Sequence, residues 1–155
     1  MTALTADRNT EYSLGDLLSV PVAAGQTVYG GSIVCLNAAG YAVPGADTDG
    51  LLVVGVATAR ADNSAGSDGD ASVVVRRRGR FRFESASALD QSALGARVYV
   101  ADDQTVAAVN DVANDVPAGV IDRVEADGAA WVAIDAEVLS GRTWNAPSPT
   151  TTAAA

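Results

Sequence analysis

The densest concentration of chemistry-bearing side chains in the sequence is the run VVVRRRGRFRF, Val73 to Phe83. Five of the ten basic residues of a chain with formal net charge −9 stand in it, at Arg76, Arg77, Arg78, Arg80 and Arg82. Guanidinium groups at this density can hold phosphate, bind an anionic substrate, or pair with carboxylates across a protein contact. In an extended strand, period-two alternation puts Arg76, Arg78, Arg80 and Arg82 on one face. Val73, Val75, Phe81 and Phe83 fall on the other, which Arg77 and Gly79 interrupt. Three readings follow: the solvated outer face of an antiparallel sheet, a protein interface, or a nucleic-acid patch. The acidic balance weighs against nucleic acid, because phosphate contacts supply most of that affinity. Only Phe81 and Phe83 offer bases a stacking surface.

The other candidates are weaker. DNSAGSDGD carries Asp62, Asn63, Asp68 and Asp70, the oxygen-rich look of a calcium loop, but it lacks the spacing and closing Glu of an EF-hand. It reads as a turn. Asp102 and Asp103 are adjacent and, on a strand, point to opposite sides, so a hairpin turn explains them better than a glycosidase pair. Cys35, the lone cysteine, sits in the apolar run SIVCLN and reads as a small core residue. Trp144, isolated in a polar tail, reads as an anchor on a partner or on the protein's own surface.

Two missing residue types narrow the chemistry further. The sequence has no His and no Lys, so every basic residue is Arg. Ser-His-Asp and Cys-His catalysis, the usual zinc sites, Schiff-base chemistry and the phosphate-binding lysine of a P-loop all lose a required group. A non-enzyme is expected, with no cofactor and no metal. No intrachain disulfide can form, no apolar run approaches a membrane span, and the opening MTALTADRNTEYSLGD lacks a signal-peptide layout.

These residues must be carried by strands. Val, Ala and Gly dominate a chain of 155 residues with two Phe, two Trp and four Tyr, a composition suited to thin, tightly packed β-structure. Short Val/Ile/Tyr runs alternate with Gly, Asn, Asp and Pro, predicting strands near Val20–Ala23, Thr27–Tyr29, Ile33–Asn37, Tyr41–Val43 and Leu52–Ala59. Others are predicted near Ser72–Glu84, Arg97–Ala101, Thr105–Val109, Ala118–Val124 and Ala130–Asp135. NAAG (Asn37–Gly40) and ADDQ (Ala101–Gln104) are predicted hairpin turns, and Ala59–Ala71 a long polar connection. ESASALDQSALG offers a helical turn or two at most.

The sequence also repeats. At an offset of 64, Gly31, Val34, Gly55 and Val56 fall on Gly95, Val98, Gly119 and Val120. Beyond the long loop the offset becomes 59, bringing Asp68, Gly69, Ala71 and Val73 onto Asp127, Gly128, Ala130 and Val132. The expectation is an all-β fold: a compact barrel- or sandwich-like body over 21–139 with an internal duplication (27–84 and 91–136). An N-terminal arm (1–20) and an extended C-terminal tail (140–155) flank it.

Read in order, ADRNT (Ala6–Thr10), SVPVAAG (Ser19–Gly25), NAAGYAVPG (Asn37–Gly45), VVGVA (Val53–Ala57), DNSAG (Asp62–Gly66), RRRGRFRF (Arg76–Phe83) and VYVADDQTVA (Val98–Ala107) form a pattern from about Ala6 to Ile134. It resembles the small head decoration or cement proteins encoded beside the major capsid gene in tailed phages and prophages, some of which carry a recombinase label. The resemblance implies a β-rich body on the outer surface of the virion head, present in the host cytoplasm during assembly. It further implies bridging of neighbouring copies of the major capsid protein, a homo-oligomer with a trimer favoured, and no direct contact with nucleic acid or membrane. On that reading the contacts to capsid or sister copies fall on Leu4, Arg8, Tyr12, Leu14, Leu17 and Leu18 of the arm, on Arg76, Arg78, Arg80 and Arg82, and on Trp144. The alternatives are a head fibre that binds a receptor or glycan and, further off, a DNA-acting protein.

Overall fold

A computed structural model describes residues 3–136. Within them the chain is all-β: β1 (Leu17–Pro21), β2 (Thr27–Val28), β3 (Ile33–Leu36), β4 (Ala42–Pro44), β5 (Leu52–Ala57), β6 (Ala61–Asp62), β7 (Ser72–Arg76), β8 (Arg78–Ser85), β9 (Arg97–Val100), β10 (Thr105–Ala107), β11 (Pro117–Val124) and β12 (Ala130–Asp135). Single 3₁₀ turns stand at Gln91–Ala93 and Val109–Asp111, the first capped by the Asp90 carboxylate accepting from the Ser92 amide at 2.8 Å.

Ten of the strands form two five-stranded units. The first is a sheet in the order β1-β7-β5-β3-β4, and the second a closed barrel, β10-β8-β12-β11-β9; β2 and β6 make a separate ribbon. The two units share one pairing plan. In the first, Ile33 faces Val56, Val34 faces Gly55 and Cys35 faces Val53, with a register shift at Val34/Cys35. In the second, Arg97 faces Val120, Val98 faces Gly119 and Tyr99 faces Pro117, with the same shift. Every one of these pairs is related by the offset of 64 seen in the sequence. Likewise Gly31 donates to the Ala57 carbonyl at 2.8 Å and Gly95 to Ile121 at 2.9 Å. The parallel pairing Val106–Ser85 that closes the barrel has a counterpart in the single parallel bridge Val22–Ala42.

The pairing moves three sequence boundaries. The expected strand 72–84 is two strands in different units, divided at Arg77, whose amide donates to the Asp16 carbonyl (2.9 Å) and whose carbonyl accepts from Ala136 (3.0 Å). Residues 78–85 therefore open the second unit, and β1, inside the segment expected as an arm, opens the first. The arm ends at Asp16. In the last strand the sequence offset of 59 matches turns, whereas the strands match at 57: Arg76 and Ala133 occupy the same place opposite Val56 and Val120. Both offsets are odd, so the same residues point inward. The ribbon strand Ala61–Asp62 lies within the segment expected as a long polar connection.

Burial explains the apolar runs. Along β3, Ile33 and Cys35 join the core that also fills the barrel (Val98, Val100, Val106, Val132, Ile134, Phe83), whereas Val34 joins the first unit's own core with Val20, Val22, Val73 and Val75. Strand β5 does the same, with Val53 and Val56 on one side and Val54 and Ala57 on the other. Strands covered on both faces lose polar alternation and become continuous apolar runs. Glycine is required where β5 and β11 run closest to their neighbours. A Cβ on Gly55 would enter the Arg76 carbonyl, and one on Gly119 the Ala133 carbonyl.

Candidate docking surface

The arginine strand alternates as its residue order predicts: Arg76, Arg78, Arg80 and Arg82 are exposed while Val73, Val75 and Phe83 are buried. The break at Arg77 separates them, leaving Arg76 on the first unit and the other three on the barrel wall. There they meet carboxylates of the same chain. Arg78 Nε lies 3.7 Å from Asp135, Arg80 Nε 3.0 Å from Asp122, and Arg82 reaches Asp127 at 2.5 Å and Glu84 at 3.3 Å. This face is a set of exposed, internally compensated pairs, each of small energetic weight. A polyanion approaching it meets a carboxylate beside each of these three guanidinium groups.

The loop Asp62–Asp70 uses its oxygens locally. Asp62 accepts from Thr27 Oγ1 (3.1 Å) and the Ser64 amide (3.0 Å), Asp68 from the Ala24 amide (2.8 Å), and Asp70 from the Ser67 amide (2.8 Å). The Ser64 hydroxyl foremost, then the Ser64 amide and Thr27, lower the Asp62 carboxyl to about 2. Buried Asn63 pins the loop to the body, its Nδ2 lying 3.0 Å, 3.1 Å and 2.8 Å from the carbonyls of Val22, Ala23 and Ser67. Asp102 closes its hairpin by accepting from the Gln104 amide (2.9 Å). Cys35 is fully buried, and desolvation pushes its thiol up to about 12, far from a nucleophile's range.

The apolar residues of the N-terminal segment have a different status. Leu4, Tyr12 and Leu14 are 70%, 85% and 76% exposed, on a stretch without strand or helix, and Arg8 is exposed with them. Leu17 and Leu18 continue the series onto β1, also exposed. The register of β1 with β7 pairs Leu17 with Arg76 and Ser19 with Val74. Leu17, Ser19 and exposed Val74 therefore share the outer side of the sheet. The arm runs directly into this outer side, where Leu17 and Val74 stand beside Ser19 and exposed Arg76. Val74 escaped the sequence reading, although its place between inward Val73 and Val75 on an alternating strand signals it.

Trp131 was also missed. It stands on the barrel wall between Arg82 of β8 and Arg123 of β11, and its outward direction was readable from buried Ala130 and Val132 on either side. Trp144 lies outside the described residues.

Comparison with known proteins finds no matching family model, no matching curated protein and no matching solved structure.

Proposed function

We propose that this protein is a non-enzymatic structural component of a phage head, bound to the outside of the capsid lattice and bridging neighbouring subunits of the major capsid protein, with self-association into a trimer. The sequence resemblance supplies the class. The observation that carries the mechanism is the set of exposed apolar side chains Leu4, Tyr12, Leu14 and Leu17 spaced along the arm and into β1, with exposed Val74 on the same outer side of the sheet as Leu17. Apolar groups on an extended segment gain most by being covered. A leucine side chain taken fully from water is worth about 1.5–3 kcal/mol before the cost of ordering the segment. An extended segment can add to a sheet edge or lie in a groove of a partner, and a repeating lattice multiplies modest contacts through effective concentration.

Deleting residues 1 to 15 tests this reading. The truncated protein keeps its β-rich circular dichroism and loses occupancy on purified capsids; full occupancy without the arm overturns the assignment. The DNA-acting alternative requires an affinity for duplex that falls steeply with salt, which the carboxylate-paired arginines of the barrel wall oppose.

A further inference from the structure

The barrel wall holds a recess that shares only Arg80 with the residues assigned to the capsid contact. This recess of about 390 Å³ opens beside Trp131, its lining made of the apolar Trp131, Leu94 and Val124 and the polar Arg80, Gln91, Asp122 and Arg123. That volume falls at the small end of ligand-binding clefts. We propose that this recess binds a neutral saccharide.

Three properties point to that class. First, the aromatic group is fixed before any ligand arrives. The Trp131 indole N–H donates to Glu125 Oε1 at 2.6 Å, and the Arg123 guanidinium sits 5.0 Å from the indole ring centroid while pairing with the same Glu125 oxygen at 3.2 Å. One carboxylate thus orients both groups, which reduces the ordering cost of binding. Second, the recess carries hydrogen-bonding capacity without net charge. Arg80 is compensated by Asp122 at 3.0 Å and Arg123 by Glu125. A phosphate or a sulfated chain gains little against such pairs, because each positive group is already neighboured by a negative one. Third, the lining is amphipathic. A wholly apolar ligand would strip water from Arg80, Asp122 and Gln91 without replacing their hydrogen bonds. A sugar ring, with hydroxyls around an apolar C–H surface, meets both halves. The guanidinium donates, the carboxylate accepts, and the Gln91 amide does either.

The irregular step of β11 between Ile121 and Arg123, where Asp122 is the extra residue opposite β12, brings Asp122, Arg123 and Val124 together at the recess. Bulges of this kind re-aim side chains and recur beside functional sites.

The test uses the full chain carrying Trp144→Phe, so that one indole N–H signal remains in the ¹⁵N spectrum. Methyl β-glucoside, methyl β-galactoside, methyl α-mannoside and N-acetylglucosamine are titrated, with inorganic sulfate and heparin as charged probes. The expected result is a saturable shift of the Trp131 indole signal with at least one sugar, in the millimolar range. Gln91→Ala and Arg80→Ala, both at exposed positions, weaken that binding at least about tenfold, the equivalent of losing one good hydrogen bond, while the rest of the spectrum stays in place. No shift with any of the four sugars, an equal shift in both variants, or a response to sulfate or heparin instead of the sugars overturns the proposal. The measurement is made on free protein, so its outcome is independent of capsid binding.

Discussion

At equivalent places on equivalent strands, the first unit presents Leu17, Ser19 and Val74 to its surroundings and the second presents Arg80, Arg82 and Trp131. The same divergence recurs on the middle strands. Ile33, Cys35, Val53 and Val56 are buried, while their counterparts Arg97, Tyr99, Pro117 and Val120 are exposed or half-exposed. What stays constant is the inward set and the close approach of backbones: Val34 with Val98, Val75 with Val132, Gly55 with Gly119. The pairing plan thus depends on which residues face in and where a side chain is forbidden. Outer faces are left to diverge, one towards apolar contact and the other towards a compensated polar surface.

The sharpest way to break the shared plan is to fill its two equivalent glycines. Gly55 has φ +149, and a Cβ there would overlap the Arg76 carbonyl. Overpacking costs about 1–3 kcal/mol and a residue held in that backbone region about 1–3 more. Gly55→Ala is therefore expected to lower stability by about 2–6 kcal/mol. Gly119→Ala meets the Ala133 carbonyl and, at 2.7 Å, Val132 Cγ1, without a left-handed φ, so the steric part alone applies, about 1–3 kcal/mol. Denaturant unfolding measures both, and equal losses would show that φ at Gly55 contributes nothing.

Next in size is the divergence of the middle strands. Ile33→Ala removes a fully buried side chain from the core shared by sheet and barrel, at a cost of about 2–5 kcal/mol. Arg97→Ala, at the same place in the second unit, is expected within about 0.5 kcal/mol of the parent. A large effect at Arg97 would mean that its face is covered in the protein as it exists in solution, which analytical ultracentrifugation would then reveal.

A smaller effect on the isolated protein is expected from the barrel arginines. The double variant Arg78→Ala, Arg80→Ala leaves the thermal midpoint almost unchanged, since exposed ion pairs contribute little, and lowers occupancy on capsids. Unchanged occupancy removes these arginines from the contact.

Much of this was legible in the order of residues. Alternation on β7, β8 and β12 and the Asn and Asp turn residues are local signals, and the structure follows them: Asn37 Oδ1 accepts from Ala39 and Tyr41 (both 3.0 Å), with Gly40 at φ +86 completing the turn. The offset of 64 was readable because β3, β4 and β5 keep their spacing in β9, β10 and β11. What was not legible depends on distant partners. Leu17 and Leu18 look like an arm until β7 supplies their pairing. The outer arginines from Arg76 to Arg82 keep their alternation past Arg77, and the interruption of the inner face at Arg77 and Gly79 does not by itself say that the chain exchanges sheets there. The offset of 59 was drawn from Asp-Gly turns, whose positions can slide while the strands keep register. Apart from Glu84, two residues from Arg82 on β8 itself, the carboxylate partners of the barrel arginines lie on β11, β12 and the turn between them, placed by the barrel's closure and by no pattern along the chain.

The smallest expected effect lies at the seam between the units. Asp47, between β4 and β5, accepts from the amides of Ala113 (2.7 Å) and Asn114 (2.8 Å), and Asn114 Nδ2 returns a bond to the Asp47 carbonyl at 2.9 Å. These bonds, the Ala113 amide foremost, hold the Asp47 carboxyl below its ordinary value of 3.8. A carboxyl with a lower pKa folded than unfolded contributes fully above the unfolded value, and the contribution is lost as pH falls through the folded one. Acidification below about 4 should therefore loosen this tie while the neighbouring bond from the Ile33 amide to the Asp103 carbonyl (2.7 Å), which has no titrating group, persists. Amide exchange follows both at once. Protection at Ala113 and Asn114 falls on the acid side and Ile33 stays protected, whereas Asp47→Asn, left with one acceptor oxygen in place of two, shows the weaker tie at neutral pH and no further acid step. Loss of Ile33 protection in step with Ala113 would mean that the two units part along the whole seam, and that the carboxylate is a hinge pin for both.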